Sequence, residues 1–269
     1  MIDLQHILVE VKALAQEAGA FLAEQRRDFD LNKVESKHSH DYVSYVDKGC
    51  EQLIVSRLKE ILPEAGFITE EKTVEQEQGG EELFWVVDPL DGTTNFIHDL
   101  APYCVCIALR NRTELLLGVV YEVSRQELYS AAKGMGAYLN DKSIHVSAIS
   151  DLDQALVMVG YPYDADAWRS FCLNMTGQLY GHCASIRSMG SAEAELCYVA
   201  AGKIDVYFES FIQPWDVAAG AVILMEAGGR ISDYDGGNAL WESGRQVLAT
   251  NVFLHETFMT EIEVAKEKS

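Results

Sequence analysis

Positive charge is scarce in this sequence. The 269 residues include 21 Lys and Arg against 42 Asp and Glu, which gives a formal net charge of −21. A nucleic acid or an anionic membrane would be repelled by such a surface, and no run of basic residues offsets the repulsion. We therefore expect neither partner, and an anionic small molecule would need cations in order to bind.

The sequence also lacks a long apolar run and any CxxC pair of cysteines. Its longest apolar stretches, such as residues 218–225, fall well short of the roughly 18 residues that a membrane-spanning helix needs. The N-terminus carries acidic residues and no apolar leader core, so we expect a cytoplasmic protein. The six scattered cysteines argue against a disulfide framework or a zinc site and favour reduced, mostly buried thiols.

Internal repeats, low-complexity linkers and a clear domain break are absent as well. A hydrophobic content of 48% over this length is enough for a substantial core. We therefore expect one compact unit over residues 1–269, with an N-terminal half of about 1–148 and a C-terminal half of about 149–269.

Apolar spacing predicts most of the regular elements. Helices are predicted over residues 3–25, 47–62 and 191–201, from Asp216, and from Glu256 to the C-terminus. Strand-like runs lie at 104–110, 115–123, 127–132, 155–160 and 203–210, and the first three predict an antiparallel meander. Segment 73–82 is dominated by Glu, Gln and Gly, which predicts a solvated, mobile loop without a core.

The most informative segment is LFWVVDPLDGTTN, residues 83–95. Its apolar start predicts a buried strand, and Pro89 is expected to end the strand pairing at Asp88 because proline lacks the backbone donor. Asp91 and the following glycine should turn the chain, and residues 93–95 are good helix-capping residues. Because carboxylates suit Mg²⁺ and the free amides of a helix start suit phosphate, the segment indicates a metal-dependent phosphatase.

Other acidic residues have simpler interpretations that remain open at this point. Most acids in such a sequence only solvate the surface. Asp216 could be a helix N-cap and nothing more, and Glu70 could be loop charge. A phosphoaspartyl phosphatase would carry its two aspartates two residues apart, whereas Asp88 and Asp91 are three apart, which disfavours a covalent intermediate.

Several segments together resemble the inositol monophosphatase family, within the wider group of lithium-sensitive, Mg²⁺-dependent phosphatases. The segments are DPLDGTTNF (88–96), WDVAAGAVILMEAGG (215–229), TEEK (69–72), KGMGAYLN (133–140) and DYVSYVD (41–47). The likeness covers nearly the whole chain. It implies an α/β (α+β) fold of the layered αβαβα sandwich type and a homodimer.

The resemblance also assigns roles to individual residues. It implies a first Mg²⁺ held by Glu70, Asp88 and the backbone carbonyl of Leu90, and a second held by Asp88, Asp91 and Asp216. Glu70 and Thr93 would position and activate the attacking water, and Asp47 would orient Thr93 or bind a weak third Mg²⁺. The phosphate would meet Gly92, Thr93 and Thr94. The polyol ring would meet Gly190, Ser191, Ala192 and Glu209, although Glu209 could equally be a charge at a strand end.

The sequence departs from the family pattern at a few positions. Thr69 replaces the usual glycine before the paired glutamates, and YEVSRQE (121–127) replaces a proline-containing turn. Glu193 stands where the family has a small apolar residue. We expect Thr69 to restrict the loop that carries Glu70, and Glu193 to add negative charge near the leaving group.

The sequence thus predicts a Mg²⁺-dependent phosphomonoesterase of the inositol-phosphate phosphatase type, acting on myo-inositol monophosphate or a similar small polyol phosphate. A metal-activated water would attack the phosphorus directly. The alternatives are a phosphatase of the same fold for histidinol phosphate, fructose 1,6-bisphosphate or a nucleotide 3′-phosphate, and a regulatory protein-binding module that retains the fold.

Overall fold

The computed structural model describes residues 2–27, 29, 35–38, 41–43, 45–76, 82–162, 165–237 and 246–269. An outer layer consists of helix α1 (Leu4–Arg27) and helix α2 (Tyr45–Ile61), with a small hairpin of β1 (Glu35–His38) and β2 (Asp41–Val43) between them in sequence. Both helices confirm the periodicity prediction. Residues such as Val11, Ala15 and Leu22 form the buried stripe of α1.

These helices cover one face of a sheet that has seven strands in the described part of the chain. In spatial order the strands are β3 (Gly66–Thr69), β4 (Leu83–Asp91), β5 (Cys104–Asn111), β6 (Leu115–Glu122), β7 (Glu127–Ala132), β8 (Ala137–Leu139) and β9 (Lys142–Ser143). Strand β3 is parallel to β4, and each later neighbour is antiparallel. The predicted antiparallel meander is therefore confirmed.

The other face of this sheet packs on helix α5 (Ala192–Ala200) and helix α6 (Ala218–Glu226); a short helix α3 (Thr93–His98) follows β4. Beyond α5 and α6 lies a second sheet, for which the described residues give five strands. Their spatial order is β11 (Ser185–Arg187), β10 (Leu156–Gly160), β12 (Val206–Ser210), β14 (Gln246–Thr250) and β13 (Arg230–Ser232). Helix α4 (Ala165–Leu179) and helix α7 (His255–Glu267) cover its outer face.

The order helix, sheet, helix, sheet, helix confirms the predicted αβαβα layering. Alternate residues of a strand explain it: Trp85 and Val87 of β4 pack towards α1 and α2, whereas Val86 packs towards α5 and α6. The first sheet and helix α6 are in close contact, since a Cβ added at Gly118 of β6 would lie 2.3 Å from the carbonyl oxygen of Ala219 in α6. A single-domain organisation of residues 1–269 stays a prediction.

Candidate active site

The end of strand β4 differs from the prediction. Pro89 does not end the pairing, because β4 continues to Asp91 and pairs with β5 through Asp88 opposite Cys106 and Asp91 opposite Cys104. The register shift between these pairs is a β-bulge, which leaves Pro89 outside the ladder, where its missing N–H costs nothing. The bulge brings Asp88 and Asp91 to the same end of the sheet.

Helix α3 begins directly after this bulge. Its N-cap is Gly92, which has a left-handed backbone with φ of 87°, so Thr93 and Thr94 lie in the first turn and do not cap the helix. A side chain at position 92 would be strained and would also meet the carbonyl oxygen of Pro102 at 2.9 Å. This position therefore requires glycine.

The segment around Asp216 also differs from the prediction. A single 3-10 turn, Pro214–Asp216, precedes α6, and the Asp216 carboxylate accepts the Gln213 amide at 2.6 Å. Helix α6 starts two residues later, at Ala218, with Val217 as its N-cap. The interpretation of Asp216 as the cap of α6 is wrong, because its carboxylate caps the preceding turn.

A cleft of about 710 Å³ lies where the two halves meet. This volume is within the usual range of small-molecule sites. The predicted site residues that line it are Glu70, Asp88, Leu90, Asp91, Gly92, Thr93, Thr94, Gly190, Ser191, Ala192, Glu209 and Asp216. Asp47 is buried behind the wall of the cleft and reaches it through Thr93.

Pairing between β3 and β4 places Glu70 beside Asp88. Thr69 is opposite Val87 in the parallel register, and the Glu70 amide donates to the Val87 carbonyl at 3.2 Å. Asp216 arrives from the other half of the chain, and its negative charge acts on Asp88. Four carboxylates from three separate segments of the chain thus line one cleft.

The electrostatics of these acids are unfavourable without a cation. Burial is the main cause that raises the pKa of Asp88 well above its ordinary value, and repulsion from Glu70, Asp91 and Asp216 adds to it. Burial likewise raises the pKa of Asp91 to about 6, although bonds from Ser191 and from backbone amides lower it in part. Burial also raises the pKa of Asp216 well above its ordinary value.

This donor set fits a hard divalent cation. Asp88, Asp91 and Asp216 offer carboxylate oxygens, and no Lys or Arg of the described residues forms an ion pair with them. Within the same residues, no three His, Cys, Asp or Glu side chains are gathered as a finished metal cluster. The structure thus shows a shared acidic cleft whose burial and repulsion a cation would relieve.

Thr93 lies between Asp47 and the bulge. Its Oγ1 is 3.0 Å from Asp47 Oδ1 and 3.0 Å from the Leu90 carbonyl oxygen. Both partners are acceptors, so the single hydroxyl hydrogen of Thr93 is donated to one of them. The lone pairs of the Thr93 oxygen are left to accept a hydrogen bond from a ligand.

Hydrogen bonds of Asp91 and Asn95 fasten residues 189–193 to the motif of β4 and α3. The Ser191 hydroxyl donates to Asp91 Oδ2 at 2.6 Å, and the Glu193 amide donates to the same oxygen at 2.9 Å. The Asn95 amide nitrogen donates to the carbonyls of Pro102 at 2.8 Å and Met189 at 2.7 Å. The predicted contact of the Ser191 turn with a polyol stays a prediction, while its hydroxyl serves Asp91.

Glu193 does not lie near a leaving group. It is fully buried and absent from the residues that line the cleft, and its carboxylate accepts the Ala219 amide at 3.0 Å and the Gly220 amide at 2.5 Å. Helix α6 is buried nearly all round, so its first amides need a partner within the protein. The expectation that Glu193 adds negative charge near the leaving group is therefore wrong, because its carboxylate caps α6 instead.

The segment that carries Glu70 is held more firmly than the sequence suggests. Glu51 of α2, fully buried, accepts the amides of Glu71 and Thr73 at 2.7 Å each. The Gln76 side chain bonds both the amide and the hydroxyl of Thr69. Residues 73 and 76 are therefore tied to α2 and β3, and the mobility of segment 73–82 stays a prediction. Residues 77–81 lie outside the described residues.

Glu195 and Gly160 are among the lining residues that the sequence did not predict. Glu195 looks like surface charge in the sequence but is 1% exposed, and Gly160 ends β10 with no local sign of a role. A buried acid two residues after Glu193 could have been suspected only if the whole of α5 had been recognised as buried.

No helix in the described part of the chain is long and apolar enough to cross a membrane.

Comparisons with known proteins agree on one family. Residues 3–267 match the model of the inositol monophosphatase family. The Nus factor SuhB of Escherichia coli K12 is 39% identical over 233 residues, which cover 87% of each chain. Among solved structures, the extragenic suppressor protein suhB of Bartonella henselae superposes with a TM-score of 0.89 and 32% identity, covering 96% of this chain and 98% of that one. The inositol monophosphatase of Anabaena (Nostoc) sp. PCC 7120 gives 0.84 and 31%, covering 97% of each chain. The chain therefore belongs to the inositol monophosphatase family.

Proposed function

We propose that the protein is a Mg²⁺-dependent phosphomonoesterase that hydrolyses inositol monophosphate or a similar small polyol phosphate. The observation that carries the proposal is the convergence of Glu70, Asp88, Asp91 and Asp216 on one cleft that Thr93 also lines. Asp88, Asp91 and Asp216, with Glu70 and the Leu90 carbonyl, would hold two Mg²⁺ ions. The ions would supply Lewis acidity and neutralise charge on the phosphate and the leaving oxygen.

The residues of the chain orient the attacking water. The Thr93 hydroxyl donates its hydrogen bond to Asp47 or to the Leu90 carbonyl, so the threonine oxygen can accept a hydrogen bond from water and aim a water lone pair at phosphorus. Glu70 would take part in removing the water proton. No residue of the cleft needs to become phosphorylated.

The phosphate itself would bind at the first turn of α3. Gly92, Thr93 and Thr94 line the cleft there and would offer their backbone amides and the Thr94 hydroxyl. Such a ligand fits a chain of strong negative charge because the cations carry the anion into the cleft. The family resemblance further suggests a homodimer, and we propose neither a nucleic acid nor a membrane as partner.

A substrate panel with a matched variant tests this proposal. Turnover of inositol 1-phosphate should require Mg²⁺, stop in EDTA, and fall about 100-fold or more in Asp88→Asn. Asp153→Asn makes the same chemical change on an exposed aspartate and should keep full activity. If Asp88→Asn folds normally and retains its turnover, the proposal is wrong.

A second candidate is a regulatory protein-binding role. The curated relatives carry the name Nus factor SuhB, which states no enzymatic activity. The retained acidic cleft favours catalysis, and an enzyme can also bind a protein. Absence of turnover in the wild type, together with partner capture that survives Asp88→Asn, would favour the binding role.

A further inference from the structure

Glu193 connects the segments that carry two of the predicted metal ligands, Asp91 and Asp216. We propose that Glu193 is a positioning residue, which fixes the start of helix α6 relative to Asp91 and thereby gives Asp216 its place beside a second divalent cation. This inference rests on the proposed metal-dependent function and adds a residue that acts on the site from outside the cleft.

The backbone of Glu193 is bonded to Asp91. Its amide donates to Asp91 Oδ2 at 2.9 Å, and the Ser191 hydroxyl donates to the same oxygen at 2.6 Å. Ser191 is the N-cap of α5, and Glu193 lies in the first turn of that helix. A carboxylate is favoured at a helix start, because the amides there lack partners within the helix. Asp91 is therefore tied to the first turn of α5.

The side chain of Glu193 is bonded to α6. Its two carboxylate oxygens accept the amides of Ala219 and Gly220, the second and third residues of α6. An N-cap side chain usually accepts these amides, but the N-cap of α6 is Val217, whose side chain has no acceptor. Because this turn is buried, it would have to shift or unwind to find other partners if Glu193 were lost.

The two helices approach each other closely enough for this link. A Cβ added at Gly220 would lie 2.5 Å from Glu193 Oε2 and 2.6 Å from the Cβ of Leu196 in α5. The first turn of α6 is therefore at backbone distance from α5. At this separation one short side chain spans both helices, so it transmits the position of α5 to α6 with little freedom.

Asp216 is coupled to the start of α6 by the chain itself. Val217 alone separates it from Ala218, the first residue of the helix. The Val217 carbonyl accepts the Ala221 amide at 2.9 Å, so helical bonding begins at the residue next to Asp216. Mg²⁺ needs near-octahedral geometry with oxygens at about 2.0–2.1 Å, so even a small shift of this segment would weaken a site that Asp216 shares with Asp91.

Mn²⁺ binding to Glu193→Gln tests this inference without any need for turnover. Glutamine keeps one acceptor oxygen but sets an NH₂ group against the other amide of α6, so one of the two bonds is lost. Metal-free protein is titrated with Mn²⁺, the free ion is followed by electron paramagnetic resonance, and Asp216→Asn identifies the second site as the one it abolishes. Glu193→Gln should weaken that site about 10-fold and leave the other site unchanged.

Kinetics should show the same selectivity. The Mg²⁺ concentration for half-maximal turnover should rise by a similar factor in Glu193→Gln, with a much smaller change in KM for the ester. In the Asp216→Asn background, Glu193→Gln should leave the remaining Mn²⁺ site unchanged, because no second site is left to align.

Glu226→Gln is the matched control. Glu226 also accepts two backbone amides, those of Gly134 and Gly136 at 2.8 Å each, but it lies at the C-terminal end of α6. Its Mn²⁺ affinities should match those of the wild type, whatever its stability.

Hydrogen exchange of the wild type gives a second readout that needs no substitution at position 193. Mg²⁺ should slow exchange of the Ala219 and Gly220 amides several-fold more than that of the Gly134 and Gly136 amides, since binding and local order are reciprocally linked. Equal protection of both pairs, unchanged second-site affinity in Glu193→Gln, or the same weakening in Glu226→Gln would overturn the positioning role. A wild type that binds both ions but hydrolyses no ester would overturn only the phosphatase function.

Discussion

Gly160→Ala is the sharpest structural perturbation of the site. The new methyl group would meet Glu209 Oε2 at 1.9 Å, Cδ at 2.2 Å and Cγ at 2.7 Å. Ordinary contact begins near 3.4 Å, so the carboxylate must move by about 1.5 Å, the difference between 3.4 Å and 1.9 Å. The 2.5 Å bond from the Tyr207 hydroxyl cannot survive this movement.

The expected losses follow from this displacement. Overpacking at the end of a buried strand costs roughly 1–3 kcal/mol of unfolding free energy. A misplacement of about 1 Å at a binding group can lower kcat/KM by roughly 100-fold. The effect should fall mainly on KM, because the family resemblance implies that Glu209 contacts the leaving group. Affinity for Mg²⁺ should remain close to that of the wild type.

Gly177→Ala provides the matched control for this prediction. Gly177 lies in α4, where an added Cβ meets nothing within 4 Å, so alanine should stabilise the helix by up to about 1 kcal/mol and leave KM unchanged. In the background of Glu209→Ala, the Gly160→Ala change should have little further effect, since the clash is gone. An unchanged KM in Gly160→Ala, or an equal loss in both backgrounds, would refute the reasoning.

Three further predictions concern other parts of the site. Thr93→Val should lower kcat by roughly 100-fold with little change in KM, because the hydroxyl that orients the water is lost. Thr93→Ser keeps this hydroxyl and should retain most activity. Equal kinetics for the two variants would contradict this role of Thr93. Glu51→Gln should raise the Mg²⁺ concentration needed for half-maximal activity several-fold, by loosening the segment after β3, whereas the exposed Glu60→Gln should not. The raised pKa of Asp91, about 6, and of Glu209, about 7, mean that the folded metal-free protein holds protons that the unfolded chain releases. Its stability should therefore fall as pH rises through this window. Calorimetry in EDTA should give a lower Tm at about pH 7.5 than at about pH 5.5, and the decline should be smaller in Asp91→Asn. A Tm that rises across this pH range would contradict the assignment.

The elements that the sequence predicts well carry a strong apolar signal of their own. Helix α1 repeats its apolar residues with the helical period, and strands β5 to β7 are apolar almost throughout because helices cover both faces of their sheet. Both boundary errors arise where a tertiary partner decides the geometry. Strand β4 passes Pro89 because β5 pairs on both sides of the bulge, and α6 starts late because Asp216 caps Gln213.

The same distinction holds for the site. Asp88 and Asp91 are marked by their own segment, but nothing local shows that Asp216 shares their cleft; only the resemblance to a known family predicts it. Glu195 could not be predicted, because the sequence around a glutamate does not show whether its side chain is buried at a cleft or exposed on the surface. Gly160 could not be predicted either, since its role depends on a register partner in another strand.

Crystals soaked in Mn²⁺ and measured at the manganese absorption edge test the central claim most directly. We expect anomalous difference peaks in the cleft within coordination distance of Asp88 and Asp91, with at least one peak reached by Asp216 and one by Glu70. Peaks confined to other surface carboxylates, or a cleft without a peak under conditions that support full activity, would contradict the account.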